Sequence, residues 1–154
     1  MSGKLIAELQ QTKPFATLEE EALLNIERTR EYVHQRFSEL FKQFQLTPTQ
    51  YNMLRILRGA GPDGIACTQA AERMVTGDPD VTRLLDRLEA RRLIERERTR
   101  EDRRVVLARI TPQGLALLKS IDKPLAALHK KHLGPLGRPR LAQLIEILES
   151  IRQA

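Results

Sequence analysis

The sequence predicts a mainly α-helical chain carrying one small β-hairpin, and three observations lead there. Apolar residues recur at helical spacing over most of the 154 positions. One stretch after Leu93-Ile94 switches to β-branched residues on one side of a polar turn. Thr-Pro and Gly-Pro dipeptides punctuate the helical segments where caps and breaks belong.

Residues 17–44 read as one long helix, with Ile26, Val33, Phe37, Leu40, Phe41 and Phe44 on a stripe and Glu27, Arg30, Glu31 and Arg36 between them. Leu46-Thr47-Pro48 ends it. Thr47 before Pro48 is an N-cap and first-turn pair for a second helix, which carries Tyr51, Leu54, Ile56 and Leu57 and stops at Gly59-Ala60-Gly61-Pro62. After the short apolar run 64–67, Thr68 is the expected N-cap of a third helix ending near Val75. Thr76-Gly77-Asp78 forms a turn, and Asp78 is the expected cap of a fourth helix whose first residue, Pro79, needs no backbone N–H. In that helix Val81, Leu84, Leu85 and Leu88 face inward, and Asp80, Thr82, Arg83, Asp86, Arg87 and Ala90 form the outer face. Two short helices joined by a brief turn, the second polar on its outside, follow helix-turn-helix logic.

Residues 95–99, a polar turn at 100–103 and a strand at 104–110 make the hairpin, whose cationic tip reads as a wing beside the helix pair. Thr111-Pro112 opens another helix with Leu115, Leu118, Ile121, Leu125 and Leu128 on one side. After a break at 134–139, a last helix carries Leu141, Leu144, Ile145, Leu148 and Ile151. One small winged unit cannot bury the apolar stripes of the long first helix and the last two. The expectation is therefore a single domain, 1–154, with dimerisation helices at 17–45 and 112–152 around a winged helix-turn-helix at 46–111. Two copies then pack through the terminal helices into a homodimer.

Charge narrows the partner. The net charge is +6, which makes a polyanion plausible. Residues 76–114 are close to neutral yet hold ten arginines and no lysine. Arginine presents a planar fork of donors suited to phosphates and guanine edges. Several classes fall away. Aromatics are 4% with no Trp, which argues against stacking platforms for single strands. No uncharged apolar run approaches the ~18 residues of a membrane span. Glu8 and its neighbouring glutamines stand where a signal peptide would be apolar, so a cytoplasmic protein is expected. No nucleophile–base–acid set or phosphate-cradling glycine loop is present, so neither an enzyme nor a cofactor is expected.

Residues 79–114, PDVTRLLDRLEARRLIERERTREDRRVVLARITPQG, resemble the MarR family of winged helix-turn-helix transcription regulators. The likeness lies in the fourth helix, the wing-tip D-x-R (Asp102, Arg104) and the closing Ile110, Thr111 and Gly114; the order of the flanking helices extends it over nearly the whole chain. The resemblance implies that the fourth helix enters the major groove of duplex DNA and the wing arginine reaches an adjacent minor groove. Thr82 and Arg83 match the T-R pair at the start of the recognition helix, Arg104 matches the wing arginine, and Asp102 matches the acid that orients it. A narrow minor groove attracts inserted arginine. Arg87, Arg98, Arg100 and Arg103 are candidate phosphate contacts.

Two positions depart from the pattern. Pro79-Asp80 stands where members carry Ser or Thr, and Asp80 either accepts from a cytosine amino group or caps the helix. Arg92 stands where the family has Gly, so a left-handed backbone there would carry strain.

The function implied is a sequence-specific, dimeric transcription regulator, a repressor on a pseudo-palindromic operator, relieved by a small molecule. The alternative is a nucleoid-type architectural protein that coats DNA. Three features have plainer readings beside sharper ones. The Phe37, Phe41 and Phe44 stripe is core or the lining of a phenolic-ligand pocket. Cys67 is a small buried thiol or an oxidant sensor. His129 and His132, an H-x-x-H pair flanking Lys130 and Lys131, are surface or dimer-face residues before they are a metal site.

Overall fold

The computed structural model describes residues 3–77 and 80–153. Asp78 and Pro79, the expected cap and first residue of the fourth helix, lie outside the described residues. By internal contacts the chain divides into two compact units, residues 1–39 and 40–154.

The first unit holds a short helix α1 (Leu5–Glu8) and most of the long helix α2 (Leu18–Lys42). Thr17 starts α2: its hydroxyl accepts from the Glu20 backbone N–H at 3.1 Å, and the Glu20 carboxylate accepts from the Ala16 N–H at 2.7 Å. The first bond satisfies an amide of the opening turn, and the second ties the residue before Thr17 to that turn. Glu19, Glu20 and Glu21 in the first turn complement the helix dipole. Leu18 and Leu23 on this helix are 80% and 61% exposed.

The second unit begins with the end of α2. Phe41 is buried and stacks on Tyr51 with ring centroids 4.4 Å apart, so this ring of the phenylalanine stripe is core. Helix α3 (Pro48–Ala60) starts at Thr47, which forms a full capping box with Gln50. A two-residue strand β1 (Ile65–Ala66), helix α4 (Cys67–Glu72) and helix α5 (Val81–Ala90) follow. Strands β2 (Ile94–Arg98) and β3 (Val106–Ile110) form the hairpin. The sheet is antiparallel with order β1-β3-β2, pairing Ile65 with Ala108 and Arg96 with Ala108 from the other side. Helix α6 (Pro112–Leu133), a 3₁₀ turn (Gly134–Leu136) and helix α7 (Gly137–Ile151) complete the chain.

The core of this unit is built from Met53, Leu54 and Leu57 of α3, Leu84, Leu85 and Leu88 of α5, Ile94 and Ala108 of the sheet, and Leu118 and Ile121 of α6. The predicted inward row of α5 is buried at these three leucines, and the predicted outer face is exposed at Thr82, Arg83, Asp86, Arg87 and Ala90. Helix α7 is different: none of its residues is buried, and Ile145 and Ile147 are half exposed. Among the described residues no helix is long and apolar enough to cross a membrane.

Three local expectations need correction. Helix α4 starts at Cys67, with Ala66 at its cap and no side-chain bond there, so Thr68 is not the cap. Residues 65 and 66 are held in the sheet by β3, and the helix can begin only after them. It also stops at Glu72 instead of near Val75, because the Val75 N–H donates to Asn52 Oδ1 at 2.9 Å. Strand β3 begins at Val106 and not at Arg104. The Arg104 and Val105 amides are taken by Asp102, through its carboxylate at 2.9 Å and its carbonyl at 2.9 Å.

Candidate nucleic-acid interface

Each end of α5 is fixed by local chemistry. At its start Asp80 is the N-cap, its carboxylate accepting from the Arg83 N–H at 3.0 Å. Asp80 thus caps the helix, one of the two roles open to it. At its end the Leu93 N–H reaches back to the Leu88 carbonyl and the Arg92 N–H to that of Glu89, the paired bonds of a Schellman turn. Arg92 takes the left-handed position of that turn at φ 57°, where the family pattern has glycine.

That turn is locked to the next helix. The Thr111 hydroxyl donates to the Arg92 carbonyl at 2.7 Å and accepts from the Gly114 N–H at 3.1 Å, while the Thr111 N–H donates to the Leu93 carbonyl at 3.0 Å. A Cβ at Gly114 would collide with the Leu93 carbonyl oxygen and the Ile110 side chain. The spacing of Ile110, Thr111 and Gly114 therefore has a physical meaning: it seats α6 against the end of α5.

The wing tip is organised by its own polar groups. The Thr99 hydroxyl donates to the Asp102 carbonyl at 2.6 Å and accepts from the Asp102 N–H at 3.2 Å. Arg98 donates to the Arg103 carbonyl at 3.3 Å. The Asp102 carboxylate orients Arg104 through the backbone, and among the described residues the Arg104 guanidinium meets no carboxylate.

The ten arginines of residues 76–114 sort into two groups. Four have internal structural roles. Arg96 bonds Asp86 and Glu89 at 2.6 Å each, Arg109 bonds Glu97 and the Pro62 carbonyl at 3.1 Å each, Arg91 donates to the Gln45 carbonyl, and Arg92 fills the left-handed turn. The other six, Arg83, Arg87, Arg98, Arg100, Arg103 and Arg104, are exposed on the outer face of α5 and on the wing. None of the six forms an ion pair among the described residues. Thr82, Asp80 and Asp102 are exposed beside them.

The tie of Arg96 to α5 is not legible in the sequence. The signal was faint: Asp86 and Glu89 are three apart on the helix, but their distance from β2 is a tertiary fact. Hydrogen bonding to Glu89 is the main cause that raises the Arg96 pKa, and the same bond lowers that of Glu89. Burial is the main cause that raises the Cys67 thiol pKa, with Arg96 opposing it. Among the described residues no group of three His, Cys, Asp or Glu side chains is placed to hold a metal ion.

Comparison with known proteins agrees with this architecture. A family model described as MarR family matches residues 44–105. A MarR transcription factor from Planctomyces limnophilus is 42% identical, with a TM-score of 0.69 over 88% of this chain and 98% of that one. The transcriptional repressor CouR, solved on a 23-mer DNA duplex, is 30% identical, with a TM-score of 0.78 over 92% of this chain and 99% of its own. The HTH-type transcriptional regulator MhqR of Bacillus subtilis (strain 168) is 27% identical over 106 residues, covering 69% of this chain and 72% of MhqR.

Proposed function

The chain belongs to the MarR family of transcription regulators, and from that premise we propose that it acts as a cytoplasmic homodimer on a pseudo-palindromic operator in duplex DNA. It is a sequence-specific regulator, and that reading is favoured over a nucleoid-type coat. The observation that carries the proposed DNA contacts is the sorting of the arginines of residues 76–114: six exposed guanidinium groups without ion pairs among the described residues, on α5 and the wing, beside four that hold the scaffold.

In this reading α5 lies in the major groove, with Thr82 and Arg83 toward base edges and Arg87 toward phosphate. Arg104 enters the neighbouring minor groove, and Arg98, Arg100 and Arg103 contact the backbone. Asp80 and Asp102 act by holding backbone amides, which fixes the helix start and the wing tip before DNA arrives and reduces the ordering cost of binding. Regulation follows from occupancy of a promoter, so no catalytic residue is required. A phenolic small molecule is the proposed signal for release.

The test is selection of bound fragments from genomic DNA by the purified protein, repeated with candidate phenolic ligands. A palindromic site preferred by about 10³-fold or more over bulk DNA supports the reading. Uniform binding to all fragments would sink it.

A further inference from the structure

The surface that carries the six exposed arginines also carries acids, and an acid at the right spacing would claim one of those arginines for itself. On α5 the nearest rival is Asp86. It stands three residues after Arg83 on the exposed face, a spacing at which opposite charges are neighbours on a helix. Among the described residues the two form no ion pair. Asp86 is held instead by Arg96 of β2, whose Nη2 donates to Asp86 Oδ1 at 2.6 Å. The same nitrogen donates to Glu89 Oε2 at 2.6 Å, so one guanidinium from the wing serves two carboxylates of α5. The wing itself repeats the arrangement: Glu97 is paired with Arg109 and not with the exposed Arg98 beside it.

Stability accounts for only one of the two Arg96 bonds. Glu89 takes the Arg96 backbone N–H and its Nε as well as Nη2, and these bonds seat β2 on α5. Asp86 adds nothing to that seat. Its side chain is 56% exposed, water would satisfy it, and so exposed a carboxylate gains little from a partner. What the bond does change is the company Asp86 keeps on the outer face of α5.

We propose that Arg96 is a positioning residue for DNA recognition: it sequesters Asp86 and so keeps the Arg83 guanidinium open to a base edge. The proposal rests on the reading that places α5 in the major groove, and it deepens that reading by giving a role to a residue that touches no DNA. Without Arg96, Asp86 turns to Arg83, and DNA must break that pair before Arg83 can bond guanine. A carboxylate left uncompensated on the groove face also repels phosphate.

The experiment uses the full chain and a palindromic fragment recovered in the genomic selection, titrated in gel shifts. Arg96→Gln should lower affinity about tenfold, the size of coupling expected between neighbouring charges. Adding Asp86→Asn to Arg96→Gln should return affinity to within about threefold of the parent, while the lowered melting temperature of Arg96→Gln remains. Asp86→Asn alone removes the rival, and Glu89→Gln alone leaves Arg96 on Asp86, so each should bind within about threefold of the parent. In an Arg83→Ala chain, Arg96→Gln should cost less than about twofold, because the group it protects is gone. The same measurements in a Glu89→Gln chain, where amide meets amide under β2, keep the outcome readable if Arg96→Gln alone unfolds.

A loss that persists after Asp86→Asn is added would overturn the proposal, because the effect would then lie in the seat of β2 on α5. Parental affinity in Arg96→Gln would overturn it, as would an undiminished cost of Arg96→Gln in the absence of Arg83. A tenfold loss in Asp86→Asn alone would make Asp86 itself a DNA contact and overturn it too. Parental affinity in Arg83→Ala fails the groove reading itself, and that variant is read before the others.

Discussion

Arg96 and Glu89 meet at three points: the Arg96 backbone N–H donates to Oε1 at 3.0 Å, its Nε to Oε2 at 3.2 Å, and its Nη2 to Oε2 at 2.6 Å. Strand β2 is thereby bolted to the last turn of α5, the helix proposed to enter the major groove. The Arg96 side chain is 20% exposed and that of Glu89 40%, so solvent weakens the pair without dissolving it.

Glu89→Gln should therefore destabilise the fold by about 1–2 kcal/mol at pH 7. The pKa of Glu89 is lowered in the folded chain, chiefly by its bond to Arg96. Its contribution is fully present above the ordinary glutamate value of 4.5 and is lost as pH falls from there through the lowered folded value. Thermal melts of parent and variant should differ at pH 7 and converge at strongly acidic pH. A gap that stays constant would exclude the ionic contribution.

Arg92→Gly should stabilise the chain by roughly 0.5–1 kcal/mol, because φ 57° costs a side chain what it does not cost glycine. Urea midpoints measure it. A lower midpoint would mean that Arg92 makes a contact worth more than the relief of strain.

On an operator fragment, Arg83→Ala and Arg104→Ala should each cost about 1–3 kcal/mol and relax sequence preference. Arg100→Ala should weaken binding evenly across sequences and reduce the salt slope by about one. Gel-shift titrations at several salt concentrations separate the two behaviours. Parental affinity in both of the first two variants would remove α5 and the wing from the DNA surface.

Cys67 should behave as a slow thiol. Burial raises its pKa above the ordinary 9.0, so thiolate is scarce at neutral pH. Labelling by a maleimide should be slow in the folded protein and fast in urea, and Cys67→Ser should retain operator binding after peroxide just as the parent does. Rapid labelling of the folded chain would restore the sensor reading.

Helix order, the hairpin and the buried row of α5 were readable because each follows from local spacing: Leu84, Leu85 and Leu88 are buried where a 3.6-residue period puts them. Arg92 was flagged from the family pattern, and its backbone is left-handed as that pattern implies. What escaped depends on distant partners. Two residues, Ile65 and Ala66, are too short for alternation to reveal, and only pairing with β3 makes them a strand. The boundaries of α4 moved because β3 and Asn52, far away in sequence, claim the amides and residues at its ends. The sorting of arginines into scaffold and surface needed the fold, since ten identical side chains carry no label of their partners.

The hydroxyl that joins Arg92 to Gly114 makes α6 a lever. Its fulcrum is Thr111, and its 22 residues carry the far end some 33 Å away. A tilt of about 5° at the fulcrum would sweep the end of a straight helix of this length through roughly 3 Å. Thr111 thus ties the turn that closes α5 to the base of a helix that runs on, past Pro124, to Leu133.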